Sequence, residues 1–91
     1  MYGFSSQMRR AAVSIPSNTA EGRSRGHRRE LTQFFLIAYG SGGELETQIE
    51  IGKRLLKTNN LDYSKVDTLL MEVMKMLNTS IHKLRAPYKA P

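Results

Sequence analysis

The sequence predicts an all-α protein, an antiparallel up-down helical bundle with three helices in this chain. Three segments repeat apolar residues at the i, i+3, i+4 spacing of a helix face, no segment alternates over any length, and only short polar or glycine-containing stretches lie between them. The 91 residues make one domain, 1–91. A chain of this size buries only about 60 to 65% of the surface its unfolded form exposes. Association into an oligomer is the expected remedy for so thin a core.

The first helix is expected over about residues 4–22. Phe4, Met8, Ala11, Ala12, Ile15 and Thr19 fall on one face, and Ser5 or Ser6 can cap it. Pro16 interrupts the stripe, where it removes the hydrogen bond to the Ala12 carbonyl, so a kink is expected there. Gly22 and Gly26 bracket a basic turn.

The second helix is expected over 28–57, with Leu31, Phe34, Phe35, Ala38, Gly42, Leu45, Ile49, Gly52 and Leu56 on its stripe. Gly40, Gly42 and Gly43 each cost a helix up to about 1 kcal/mol relative to Ala. Close approach of a neighbouring helix at Ala38, Gly42 and Gly52 is the expected reason for such a cluster.

The third helix is expected over 62–85. Asp62 or Ser64 serves as N-cap, Asp67 stands in the capping-box position of Ser64, and the stripe of Val66, Leu69, Leu70, Val73, Met76, Leu77, Ile81 and Leu84 is the clearest in the chain. Residues 86–91 read as a tail.

Composition narrows the chemistry. No Cys is present, which excludes disulfides, thiolate metal sites and a Cys nucleophile. His27 and His82 are isolated, and Glu44, Glu46 and Glu50 lack the histidine that bundle metal sites add to their carboxylates, so no metal is expected. The glycines of Gly40 to Gly43 lack the spacing of a phosphate loop, and Ser14 and Ser17 have no His and Asp at a meaningful spacing. Neither an enzyme nor a cofactor is expected. The longest apolar run, Phe34 to Tyr39, is far short of the roughly 20 residues that span a membrane, and the expected location is cytoplasmic.

The charge is the most informative feature. Of a net +6, residues 1–29 carry +5, all of it from Arg9, Arg10, Arg23, Arg25, Arg28 and Arg29 set against Glu21 alone. Arginine presents a planar fork of donors suited to phosphate, so a local arginine excess points to an anionic partner.

The stretch YGFSSQMRRAAVSIPSNTAEG from Tyr2 to Gly22, followed by FFLIAYGSGGELETQIEI from Phe34 to Ile51, closely resembles the four-helix-bundle family of ribosomal-RNA intervening-sequence proteins. A more distant resemblance is to the accessory variability protein of diversity-generating retroelements. The resemblance covers residues 2–85. It implies a small antiparallel bundle that assembles as a basic homopentamer and, through the retroelement relatives, nucleic acid and a reverse transcriptase as partners. Members usually carry a further helix before the YG of the matched region, where this chain has Met1; the resemblance implies either a truncated start or a three-helix member whose exposed groove is filled by association.

Arg9 and Arg10 point about 100° apart on a helix and cannot do the same job. The resemblance keeps an arginine together with Glu21, Glu44 and Glu46, so Arg9 is expected in structural ion pairs with these acids and Arg10 in a phosphate contact. Arg23 and Arg25 near a helix C-terminus suit the macrodipole, whereas Arg28 and Arg29 at the start of the next helix oppose it at a cost of about 0.3 to 1 kcal/mol each. The expected nucleic-acid site is therefore Arg10, Arg23, Arg25, Arg28 and Arg29. A solvated, solubility-conferring run is the other reading of the same residues. Tyr39, Tyr63 and Tyr88 offer surfaces on which bases can stack. The expected function is a non-enzymatic, oligomeric nucleic-acid-binding protein; the alternative is a structural or protein-partner scaffold with incidental charge.

Overall fold

A computed structural model describes residues 2–87. Its helices are α1 (Tyr2–Ser24), α2 (Arg28–Arg54) and α3 (Ser64–Arg85), and no strand occurs among the described residues. The all-α expectation is met, and part of the expected tail, residues 88–91, lies outside the described residues.

α1 starts earlier than its apolar stripe, so Ser5 and Ser6 sit inside the helix rather than capping it. It continues through Pro16, which has no N–H to donate to the Ala12 carbonyl; Ala12 and Pro16 are both exposed residues. The helix stops at a turn whose Gly26 has φ +76°, the left-handed conformation that glycine adopts without penalty.

α2 ends at Arg54 instead of continuing to Lys57. The Leu55 N–H and the Thr58 hydroxyl both bond the Gly52 carbonyl, and Leu55 adopts an extended conformation. Leu56, counted on the stripe, is 92% exposed and gives the helix no apolar anchor for another turn. At the start of α3, Tyr63 holds the N-cap position, and Asp62 Oδ1 accepts from the Ser64 N–H at 3.0 Å and hydroxyl at 2.7 Å. These bonds, the hydroxyl's first, hold the Asp62 carboxyl below its ordinary pKa. Asp67 does not close a capping box. It bonds Lys53 Nζ at 2.8 Å, and Glu50 bonds the same ammonium at 3.2 Å, so the end of α2 is tied to the first turn of α3. Both partners, Asp67 foremost, raise the Lys53 pKa.

α2 is the centre of the domain. α1 and α3 both pack on it, while no Cα pair of α1 and α3 comes within 8 Å among the described residues. One cluster joins Ala11, Leu45, Ile49 and Leu70; a second joins Phe35, Ala38, Leu77 and Ile81, and Ile15 touches both. A Ser14–Ser41 hydroxyl bond of 2.7 Å fixes the antiparallel register of α1 on α2. Between α1 and α3 an open apolar groove remains, in two sections of about 500 and 590 Å³ that share Ile15, Thr19, Arg23 and Val73. Leu69 (51% exposed) and Met76 (63%) stand on its α3 side.

The glycines divide by what they face. A methyl at Gly52 would stand 2.8 Å from the Tyr63 hydroxyl, which is itself held by the Thr58 carbonyl; one at Gly22 would stand 2.9 Å from Phe34 Cβ. One at Gly42 meets Met74, whose flexible thioether can move aside. At Gly40 and Gly43 it meets nothing within 4 Å. Gly22→Ala and Gly52→Ala are therefore expected to destabilise by about 1 to 3 kcal/mol through overpacking. Gly40→Ala and Gly43→Ala are expected to stabilise by about 0.5 to 1 kcal/mol each. Urea midpoints of the four variants check both signs.

Candidate nucleic-acid interface

The arginines of the first third take three different environments. Arg25, in the turn after α1, bonds Glu21 at 3.0 Å, approaches Glu30 at 3.8 Å, and lies 5.1 Å from the centre of the Phe34 ring. Its side chain is 46% exposed, so each ion pair contributes little to stability, yet its charge is offset locally by two carboxylates. The acid expected to pair with Arg9 is thus used by Arg25. Arg9 and Glu21 lie 12 positions apart on one helix, about 18 Å along its axis, and cannot meet.

Arg28 answers the dipole argument in an unexpected way. Its guanidinium donates to the carbonyls of Leu84 (2.9 Å), Lys83 (2.9 Å) and Ala86 (3.1 Å), capping the C-terminus of α3. The cation that opposes the α2 dipole complements the α3 dipole. Arg28→Ala is expected to cost about 1 to 2 kcal/mol, below the value for a buried charged hydrogen bond because water can reach these carbonyls. Arg28→Lys is expected to recover only part of it, since an ammonium cannot reproduce the fork. Thermal unfolding of the two variants measures the difference.

Arg9, Arg10, Arg23 and Arg29 are exposed, and none has an ion pair or side-chain hydrogen bond among the described residues. Arg23 rims the groove between α1 and α3. Arg10 lines a polar groove between α1 and α2 together with Glu44, but no ion pair within 4.0 Å joins them. Glu46 lies on the opposite side of α2, near Tyr39 and Lys53, and likewise has no ion pair among the described residues. The expected pairing of Arg9 with Glu21, Glu44 and Glu46 is therefore not formed. The register explains it: Ser14 faces Ser41, so Arg10 and not Arg9 falls opposite Glu44. Arg10 and Arg23 are 13 positions apart on α1, about 20 Å.

Of the tyrosines, Tyr63 is half-buried against Gly52 with its hydroxyl bonded to the Thr58 carbonyl, and its ring lies 5.9 Å from Lys53 Nζ. Tyr39 is 37% exposed, and Tyr88 lies outside the described residues. Single-helix periodicity passed over Gln7, Ser14, Ser41 and Gln48, which line the polar groove beside Arg10. Their signal is a second, polar stripe at i, i+3, i+7 on each helix. No cluster of three metal-ligating side chains occurs among the described residues, and none of their helices is long and apolar enough to cross a membrane.

No curated protein and no solved structure matches the chain. The family model described as 23S rRNA-intervening sequence protein matches residues 1–79, and on that match the chain, with its three antiparallel helices and its arginine-rich first third, belongs to the 23S rRNA-intervening sequence protein family.

Proposed function

We propose that this chain is a non-enzymatic, cytoplasmic protein that binds structured RNA as a homo-oligomer. The observation that carries the reading is the set of exposed arginines that have no carboxylate partner among the described residues, Arg10, Arg23 and Arg29 with Arg9 beside them, in the segment that holds +5 of the +6 net charge. The family description, which ties the chain to intervening sequences of 23S rRNA, supports RNA as the partner. Arg25 and Arg28 contribute less than Arg10, Arg23 and Arg29, because carboxylates and carbonyls already engage them. Phosphate contacts release counterions, so four free arginines give log K against log salt a slope of about −3 per protomer. A filter-binding series from about 50 to 200 mM salt reads that slope; affinity that does not change with salt would contradict phosphate contacts.

The open groove between α1 and α3 favours the second reading, a scaffold that presents helices to a protein partner such as a reverse transcriptase. Exposed Leu69 and Met76 beside an apolar groove are a feature of association surfaces. The two readings are compatible if the partner in the groove is another copy of the chain; the resemblance makes that assembly a pentamer.

A further inference from the structure

We propose that two copies of this chain pair antiparallel through the groove between α1 and α3, each laying its α3 in the groove of the other. The fold divides the apolar residues of α3 into two stripes. Leu70, Leu77 and Ile81 are buried in the two core clusters. Val66, Leu69, Val73 and Met76 line the groove instead, where Val66 (39%), Leu69 (51%) and Met76 (63%) stay exposed. Their steps of 3, 4 and 3 residues are the seam spacing of a coiled coil. A seam of this spacing fits a helix with the same spacing, and α3 of a second copy has it. The facing wall leaves room: α1 turns Ala12, Pro16 and Ala20 toward the groove at four-residue steps, compact side chains between which leucine and methionine knobs can sit.

The exposed area is of the size that such a contact takes. A compact monomer of 10.3 kDa exposes about 5,400 Å², whereas this chain exposes 6818 Å². The surplus of about 1,400 Å² exceeds the roughly 800 Å² that each partner gives to a standard interface. The pairing is isologous, so one contact covers both the seam of each chain and the groove beside it. Charge sets the direction. The C-terminus of α1, the N-terminus of α2 and the C-terminus of α3 share one end of the domain, where Arg28 bonds the Lys83 and Leu84 carbonyls. That end carries Arg23, Arg25, Arg28, Arg29, Lys83 and Arg85 against Glu21 and Glu30. Parallel pairing would bring two such ends together; antiparallel pairing sets them at opposite extremities and opposes the α3 dipoles. The proposal rests on the homo-oligomer part of the reading given under Proposed function and not on RNA, and it makes the assembly a pair or an even multiple of chains in place of the five-membered ring that the resemblance implies.

Distances between copies test the pairing. The chain has no cysteine, so single nitroxide labels on Lys65→Cys, Glu72→Cys and Thr79→Cys, all exposed positions beside the seam, can be read by electron paramagnetic resonance. One distance per label is expected. It is shortest for Glu72→Cys, next to the two-fold axis, while the two copies of the Lys65→Cys or Thr79→Cys label stand about 20 Å apart along the helices. Equal distances at the three positions, or two distances per label as a five-membered ring gives, overturn the pairing and leave the homo-oligomer reading standing. No distance at any position, with a mass of 10.3 kDa for the unaltered chain, overturns both. Leu69→Glu combined with Met76→Glu is expected to bring the mass down to 10.3 kDa with the helical circular dichroism retained; an unchanged mass in that folded variant overturns the seam. The label distances leave the seam intact and decide the matter if that variant unfolds.

Discussion

Arg23→Glu combined with Arg29→Glu is expected to lower affinity for structured RNA by more than about 100-fold. Each substitution removes a charge-assisted contact worth about 1.5 to 3 kcal/mol and adds a repulsive charge. Neither side chain has an ion pair or side-chain hydrogen bond within the described residues, and both are exposed, so the fold loses little. Arg25→Glu with Arg28→Glu gives the opposite pattern. Arg25 already pairs with Glu21 and Glu30, and Arg28 caps α3, so this second pair lowers the unfolding temperature more than it lowers RNA affinity. Melting curves alongside binding curves separate the two. Equal RNA affinity for the Arg23/Arg29 double variant and the unaltered chain would count against these residues as the interface.

Ile49→Ala is expected to cost about 2 to 5 kcal/mol. Ile49 is 2% exposed, and its cluster joins all three helices through Ala11 on α1, Leu45 on α2 and Leu70 on α3. Only eight hydrophobic residues are buried among those described, two of them alanines. A domain of this size has about 5 to 13 kcal/mol in total, so one such loss removes a large fraction of it. Urea unfolding followed by circular dichroism gives the value. A cost below about 1 kcal/mol would mean that the cavity refills and that the helices are less closely packed around α2 than described.

The apolar stripes were legible because helical periodicity is local. Leu45 and Ile49 on α2, and Leu70, Leu77 and Ile81 on α3, were all placed on their stripes by spacing alone, and each is buried. Gly42 and Gly52 were legible as places where another element comes close, and Met74 and Tyr63 are what approaches. Gly40 and Gly43 carry the same sequence signal and face open space; nothing in the structure explains them.

What the sequence hides is the relation between helices. Arg28 was read against the dipole of its own helix, but the carbonyls it caps lie 55 to 58 positions away. Glu21 pairs with Arg25, four positions on, because Arg9 stands about 18 Å away along the same rigid helix. The polar groove depends on Ser14 facing Ser41, a register that neither helix specifies alone. α2 ends before Leu56, which continues the stripe in sequence but is 92% exposed in space.

Light scattering of the purified chain at micromolar concentration, with and without structured RNA, tests whether an oligomer of this chain binds RNA. A mass several times 10.3 kDa that rises further when RNA is added is the expected result. A species of about 10.3 kDa whose mass is unchanged by RNA would contradict it.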